Sequence, residues 1–171
     1  VEIPNIKDNK EWINMKSGAL CDYNNDSSFS KDFGKIYNGY AAKSEFICPE
    51  GWHIPSTEEW FILIDYCGGI NEAGKKLKMK VKKYDDGYYF NIGGSNESGF
   101  TALAAGCRSI YEFHDTEAGS FYGRGLGATW WTSTEKDSIN LGYINIEYSD
   151  DYVNSGFSTK PNGSSIRCIK D

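Results

Sequence analysis

Residues 55–69, PSTEEWFILIDYCGG, carry the clearest structural signal in the chain. Ser56 and Glu59 stand three positions apart, which is the spacing of a capping box at the start of a helix. Apolar residues then recur at helical spacing up to a glycine pair: Trp60, Leu63, Ile64 and Cys67. We therefore predict a helix over residues 56–67, with Pro55 just outside it.

A second, shorter helix is predicted to begin near Asn71. The spacing places Ala73 and Leu77 inward and leaves a lysine-rich face outward. A charge run of this kind usually forms a solvated helix face rather than a basic binding surface. The chain is expected to turn at residues 83–89, KYDDGYY.

The first part of the chain, residues 1–40, predicts short extended pieces separated by turns. Within it, residues 1–10 are compatible with a linker from a removed N-terminal segment. The segment FGKIYNGYAAK, residues 33–43, predicts a strand that enters a short helix. Since no repeat or low-complexity stretch divides the chain, we expect one domain over residues 1–171.

The second half of the chain, from about residue 88, reads as turns and short strands. In residues 141–149, LGYINIEYS, strict alternation places Ile144, Ile146 and Tyr148 on one face of a strand. The other face carries Tyr143, Asn145 and Glu147. We assign the first face to the core and leave the second available to a ligand. Early helices and late antiparallel strands predict the α+β class.

The composition and charge narrow the classes of partner. The apolar content relies on 12 Tyr, 9 Phe and 5 Trp, which is typical of binding modules and equally of a β-rich core. A net charge of −6 with interspersed signs provides no positive field for nucleic acid or for an anionic membrane surface. Membrane attachment is therefore expected only through a removed lipid anchor that preceded Val1.

Several local patterns point to chemistry but have simpler explanations. The glycines at 123, 125 and 127 lack the spacing and the following helix of a dinucleotide-binding loop. His53 precedes a helix cap and is expected to be a packed, hydrogen-bonded histidine rather than a general base. Capping explains Glu58 and Glu59, and turns explain the acidic pairs at 85–86 and 150–151. We expect no cofactor and no catalytic residue.

Calcium is the one metal that the composition leaves open. Acidic and amide side chains cluster in CDYNND, residues 21–26, and YSDDYVN, residues 148–154, and such oxygens suit a hard cation. Neither cluster has an EF-hand pattern, and polar turns that bind nothing are the simpler interpretation.

The five cysteines are widely spaced, with no C-x-x-C pair. Because the chain has two histidines only, a zinc cluster is not expected. The spacing is compatible with free buried thiols or with one long-range disulfide in an oxidising compartment, and the residues alone do not decide between these.

Seven segments, taken in order, resemble one family, the Fibrobacter succinogenes major paralogous domain of bacterial surface proteins. They span about residues 11–171, and their ordered set is specific although each one alone is weak. The segments are CDYNND (21–26), DFGKIYNGYAA (32–42), CPEGWHIPSTEEW (48–60), DYCGG followed by AGKKLK (65–78), ESGFTALAAGCRS (97–109), WWTSTE (130–135) and SSIRCIKD (164–171).

The resemblance implies a C-type-lectin-like fold, in which two helices pack on a twisted antiparallel sheet with long loops. It implies a secreted or cell-surface protein without established catalytic activity. Cys48 and Cys168 match the two most regular cysteines of the family, so their pairing is expected first, with Cys21–Cys48 as the alternative. Cys67 and Cys107 depart from the family pattern and are expected to be buried thiols.

The family more distantly resembles receptor-binding proteins that display variable side chains on a lectin-like fold. The likeness and the strand pattern both place a ligand site on the late strands, at Tyr143, Asn145, Glu147, Asp150, Tyr152, Asn154 and Phe157. Tyrosine and asparagine supply rigid contact area and adaptable hydrogen bonds. The calcium and sugar signatures Glu-Pro-Asn and Trp-Asn-Asp are absent, so the fold by itself does not predict calcium-dependent sugar binding.

The expected function is a non-catalytic recognition or adhesion module that binds a protein or a glycan. One alternative is a structural domain that spaces or assembles a larger surface protein. A metal-dependent oxidase related to the lectin fold is a further alternative, but the sequence lacks a recognisable ligand cluster or active cysteine pair.

Overall fold

A computed structural model of the chain describes residues 2–80, 82–83, 89–90, 94–112 and 116–171. Its helices are α1 Asn9–Asn14, α2 Ser27–Phe33, α3 Thr57–Tyr66 and α4 Ala73–Leu77, with 3₁₀ turns at Tyr23–Asn25 and Ala41–Lys43. Its strands are β1 Leu20–Cys21, β2 Ile36–Asn38, β3 Trp52–His53, β4 Lys82–Lys83, β5 Tyr89–Phe90, β6 Ala105–Arg108, β7 Phe121–Arg124, β8 Gly127–Glu135, β9 Asn140–Glu147, β10 Val153–Thr159, β11 Gly163–Ser164 and β12 Ile169–Lys170. Within these ranges, no helix has the length and apolar character needed to cross a bilayer.

One large sheet dominates the fold, and it is mostly antiparallel. Its strands run in the order β1-β2-β11-β6-β8-β9-β10, and β7 pairs with β6. The contact between β6 and β8 is parallel and is registered at a single pair, Gly106 with Ala128. The three longest strands, β8, β9 and β10, form an antiparallel unit beyond that contact. The class is therefore mixed α and β with a large antiparallel-rich sheet, as expected.

Helix α3 confirms the prediction made from residues 55–69. Ser56 accepts a hydrogen bond from the Glu59 backbone, and the Glu59 carboxylate accepts one from the Ser56 backbone, which completes the capping box. The helix packs its apolar side on β8 and β9 through a buried cluster that includes Trp60, Ile64, Trp130, Ile144 and Ile146. The core predicted for Ile144 and Ile146 is thus confirmed.

The residue that follows β9 departs from the strict alternation of the strand. Tyr148, which the pattern assigned to the core, follows the last strand residue and is 38% exposed. The prediction for Tyr148 is wrong because β9 stops pairing at Glu147, so the period of two no longer applies. On the opposite sheet face, Leu141 is fully buried with Trp131 and Ile54, and the ring of Tyr143 packs partly on them.

The N-terminal region is more helical than predicted. Residues 9–14 and 27–33 form α1 and α2, where extended pieces and turns were expected. Asp8 and Asp26 cap these helices with their side chains. Two short helices of six and seven residues carry too little periodic signal to be recognised from their sequence. The segment 33–43 does form a strand and a short 3₁₀ helix, as predicted.

Residues 5–10, which we had allowed as part of a linker, contact the body of the domain. Ile6 is buried, and Asn5 forms a bridge with Leu20. The guanidinium of Arg108 donates to the carbonyl oxygens of Ile6 and Lys7. These contacts tie the start of the chain to the sheet.

A disulfide joins Cys48 to Cys168, as the family resemblance implied, with the two Cα atoms 5.9 Å apart. Cys21, the alternative partner, is a free buried cysteine, and so is Cys67. Cys107 is only partly buried, which corrects the expectation of a buried thiol. Its strand, β6, lies at the junction of the two parts of the sheet, where the packing is open on one side.

Helix α4 begins at Ala73, close to the predicted start, and buries Ala73 and Leu77 as expected. The lysine face is less uniform than predicted, because Lys78 at the helix end is 3% exposed. Its ammonium donates to the carbonyl oxygen of Asp150 and lies 3.3 Å from the Asp151 carboxylate. Most of the predicted turn at residues 83–89 lies outside the described residues.

Candidate binding cleft

A cleft of about 500 Å³ opens over the outer face of β8, β9 and β10. The β-ladders place Asn145 of β9 directly between Thr129 of β8 and Asn154 of β10. Residues that face each other across antiparallel strands project to the same side of the sheet. Thr129, Asn145 and Asn154 therefore form a polar row across three strands, and all three line the cleft.

The opposite wall comes from β6, β7 and β11, with Cys107, Tyr122 and Ser164 among its residues. Gly106, at the junction, has a φ of +71°, and a Cβ there would lie 2.6 Å from the Tyr122 carbonyl oxygen. Glycine thus allows β6 and β7 to approach closely enough to form this wall.

Four of the seven ligand residues expected from the sequence meet in this cleft: Tyr143, Asn145, Glu147 and Asn154. Tyr143 also packs over Gly156 on the adjacent strand, where a Cβ would lie 2.9 Å from its hydroxyl. The side chain is half-buried, so it forms part of the cleft wall rather than a free surface group.

The other three expected residues do not line the cleft. Asp150 accepts a hydrogen bond from the Tyr152 backbone and shapes the turn between β9 and β10. Tyr152 is 44% exposed on that turn. Phe157 is 47% exposed and its ring centre lies 5.7 Å from the Lys136 ammonium. Because strand side chains alternate, Phe157 projects to the face opposite to Asn154.

Three further residues line the cleft that the sequence does not place in the candidate site: Tyr122, Tyr148 and Cys107. Tyr122 lies on a four-residue strand that contains Gly123 and is followed by Gly125, and so short a strand shows too little alternation to assign a face. Strict alternation predicts a core position for Tyr148, but β9 ends one residue earlier, at Glu147. The one signal in the sequence for a binding role of Tyr148 is that it is a tyrosine next to the end of a strand.

Several polar groups in the cleft have no partner among the described residues. The Asn145 amide donates to Ala128 O at 3.3 Å and to Thr129 Oγ1 at 3.2 Å, so its Oδ1 is left as an acceptor. No hydrogen bond or ion pair within the described part of the chain engages the side chains of Glu147, Asn154 or Tyr148. These groups are available to a ligand.

The exposed charge in the cleft, among the described residues, is a carboxylate. The two charged residues that line the cleft, among those described, are Glu147 and Arg108. Arg108 is 1% exposed, and its guanidinium is bound to backbone oxygens of the N-terminal segment and to Gly119 O. Glu147 is exposed, so the cleft presents a carboxylate without a free cation beside it.

Two groups in the cleft, the thiol of Cys107 and the phenol of Tyr122, have raised pKa values. Burial raises the pKa of the Cys107 thiol to about 11. Burial also raises the pKa of the Tyr122 phenol, and the neighbouring Cys107 adds to the effect. Both groups stay protonated near neutral pH, so neither is a ready nucleophile or base there.

The acidic side chains of the first cluster considered for calcium, residues 21–26, are engaged in other contacts. Asp22 is buried and is bound by the ammonium of Lys35 and the hydroxyl of Ser30. Asp26 caps α2 by accepting from the Ser28 backbone. No group of three or more His, Cys, Asp or Glu side chains that could hold a metal ion occurs among the described residues.

His53 is hydrogen-bonded, as expected, and lies outside the cleft. Its Nδ1 lies 2.6 Å from Asp171 Oδ1 and its Nε2 lies 3.0 Å from Glu59 Oε1. The hydrogen bond to Asp171, followed by that to Glu59, raises the pKa of the imidazole. The residue thus links β3 and the chain end to the α3 capping box.

Comparison with known proteins identifies the family of the chain. The family model of the Fibrobacter succinogenes major domain matches residues 2–170, so the chain belongs to this family. No curated protein and no solved structure matches the chain.

Proposed function

We propose that this protein is a non-catalytic recognition or adhesion module that binds a protein or glycan ligand in the cleft over β8, β9 and β10. The observation that carries this proposal is a set of polar groups without a partner among the described residues, in a concave site of ligand size: the Oδ1 atom of Asn145 and the side chains of Glu147 and Asn154. Small-ligand sites typically occupy about 300–1,000 Å³.

The proposal includes a C-type-lectin-like fold and a secreted or cell-surface location. The packing of α3 on one face of an antiparallel unit, with a ligand site on the other face, supports the fold. The Cys48–Cys168 disulfide supports an oxidising compartment. The proposal that the cleft is non-catalytic is supported for its thiol and phenol, because the raised pKa values of Cys107 and Tyr122 keep both groups protonated near neutral pH.

The test is a screen of protein and glycan arrays with the wild type and with the double variant Asn145→Ala/Asn154→Ala. We expect the double variant to lose most of the binding, because it removes the centre of the polar row. The matched control is Asn71→Ala, an exposed asparagine that does not line the cleft. Ligand binding that survives the double variant with the fold intact would refute the proposed site.

A structural or assembly role is supported by a separate observation. Ile62 and Tyr66, one helical turn apart on α3, are 71% and 83% exposed. Exposed apolar side chains at this spacing suit contact with another domain. If this is the main role, Ile62→Ser/Tyr66→Ser will change the sedimentation coefficient of the larger assembly, whereas the cleft variants will not.

A further inference from the structure

We infer that the cleft binds a neutral oligosaccharide, an inference that rests on the proposed recognition function and specifies its ligand class. The first argument is charge. The cleft offers the Glu147 carboxylate, and the only cation in its lining among the described residues, Arg108, has its guanidinium engaged elsewhere. An anionic ligand such as a sulfated or uronic sugar or a phosphate would therefore meet an exposed carboxylate, while the guanidinium of Arg108 is buried and cannot pair with it directly.

The second argument is the balance of donors and acceptors. Asn145 uses its amide N–H groups within the sheet and keeps Oδ1 as an acceptor, and Glu147 contributes two more acceptor oxygens. A ligand that covers these acceptors must bring donors, because a buried acceptor left unpaired costs free energy. Sugar hydroxyls supply many donors without a positive charge, and the Asn154 amide can both donate and accept.

The third argument is the placement of aromatic rings. Tyr122 and Tyr148 are 37% and 38% exposed, and with Tyr143 they bring three phenol rings to one polar site. A ring that is partly covered and partly open offers a flat apolar face for the C–H side of a sugar. The Tyr148 hydroxyl, which has no partner within the described part of the chain, can also hydrogen-bond to the sugar.

The fourth argument separates a glycan from an extended peptide. Strand β9 forms the floor of the cleft and is paired with β8 on one side and with β10 on the other. Its backbone groups are thus used by both ladders, so a peptide lying in the cleft cannot add a strand there. The floor offers side chains instead, which suits a ligand recognised through its hydroxyl groups.

The test is a nuclear magnetic resonance titration of the whole ¹⁵N-labelled chain. The neutral probes are hexasaccharides of glucose, xylose, mannose and N-acetylglucosamine, together with the neutral members of a glycan array. The anionic probes are a heparin hexasaccharide and trigalacturonate. We expect at least one neutral glycan to shift the side-chain amide signals of Asn145 and Asn154, and neither anionic probe to do so.

Three substitutions sharpen the result. Tyr148→Ala is expected to weaken binding of the neutral glycan about tenfold, because it removes a ring that lines the cleft, whereas Tyr148→Phe retains the ring and most of the affinity. Glu147→Gln is expected to weaken binding of the neutral glycan by less than about tenfold, since the amide keeps one oxygen that accepts from a hydroxyl and loses one acceptor. A cationic ligand would instead lose most of its binding in Glu147→Gln.

The outcomes separate this inference from the proposed function. If a protein or an anionic glycan binds in the cleft and the Asn145→Ala/Asn154→Ala variant abolishes that binding, the ligand class is wrong and the recognition function stands. If no neutral glycan binds in the cleft, the ligand class is likewise wrong. If every ligand binds the double variant as tightly as the wild type, both are wrong.

Discussion

The guanidinium carbon of Arg108 lies 4.4 Å from the centre of the Trp12 ring, in the interior between α1 and the sheet. It also lies 4.7 Å from the centre of the Phe121 ring. Its nitrogens donate to four oxygens, which belong to Gly119, Ile6, Lys7 and Asn9. A single buried side chain thereby connects the first ten residues to the wall of the cleft.

Substitution of this arginine is expected to destabilise the protein strongly. Arg108→Met removes the donors for four oxygens, and we expect a loss of about 3 kcal/mol or more in the free energy of unfolding. Urea denaturation followed by tryptophan fluorescence measures the loss. The matched control is Arg167→Met, because Arg167 is exposed and also lies over a ring, that of Phe100. We expect the control to cost less than about 1 kcal/mol, and equal losses in both variants would contradict the role of Arg108.

Removal of the disulfide is expected to lower the stability of the protein, because it gives the unfolded chain more conformational freedom. Cys48 and Cys168 are 120 positions apart, and closing so long a loop restricts the unfolded ensemble. In the chain-entropy model, Cys48→Ser/Cys168→Ser should lose about 4–5 kcal/mol. Non-reducing peptide mapping should recover the linked peptides from the wild type. Addition of a reductant should leave the stability of the double variant unchanged, and a further decrease there would show that another cysteine pair is involved.

The His53 contacts predict a stability that decreases as the pH rises. The carboxylates of Asp171 and Glu59 raise the pKa of the imidazole in the folded state. In the unfolded chain the pKa returns to about 6.5. Because the folded pKa is the higher one, the stabilisation is complete below about pH 6.5 and is lost as the pH rises through the folded pKa.

The measurement is the melting temperature of the wild type and of His53→Gln between pH 5 and pH 9. We expect the advantage of the wild type to be largest at the acidic end and to shrink toward alkaline pH. Asp171→Asn, which removes the first of the two carboxylates, should reduce this dependence. A difference that grows with pH would have the wrong sign and would reject the ion pair.

The close approach at the junction of the sheet predicts a glycine requirement at position 106. Gly106→Ala would place a Cβ 2.6 Å from the Tyr122 carbonyl oxygen, at a φ of +71°. Gly34 has a similar φ of +77° but has no atom within 4 Å of such a Cβ. We expect Gly34→Ala to cost about 1 kcal/mol from the backbone conformation alone.

For Gly106→Ala we expect the free energy of unfolding to decrease by about 3 kcal/mol. The backbone conformation is strained for alanine, and in addition the backbones of β6 and β7 must move apart. Thermal unfolding of the two variants side by side provides the measurement. Equal costs at positions 34 and 106 would show that the approach of β7 to β6 is not tight in solution.

The sequence was sufficient to predict elements that are specified by neighbouring residues and are long enough to show a periodic pattern. The capping box at Ser56 and the apolar spacing of α3 predicted that helix, and alternation predicted the buried pair Ile144 and Ile146. It was insufficient for α1 and α2, which are too short to show a period, and for Tyr148, where the pairing of β9 ends. Of the candidate site residues, Tyr143, Asn145, Glu147 and Asn154 were predicted together because they share or face one strand surface.

The sequence alone determined the family, the main helix, the core side of β9 and, through the family, the pairing of Cys48 with Cys168. Only the tertiary structure decided that β6 and β7, next to β8, form the wall of a cleft, and that Tyr122 and Tyr148 line this cleft together with Asn145. The reason is that a strand pattern specifies which side chains share a face. The distance between separate strands depends instead on backbone packing, here on the approach that Gly106 allows.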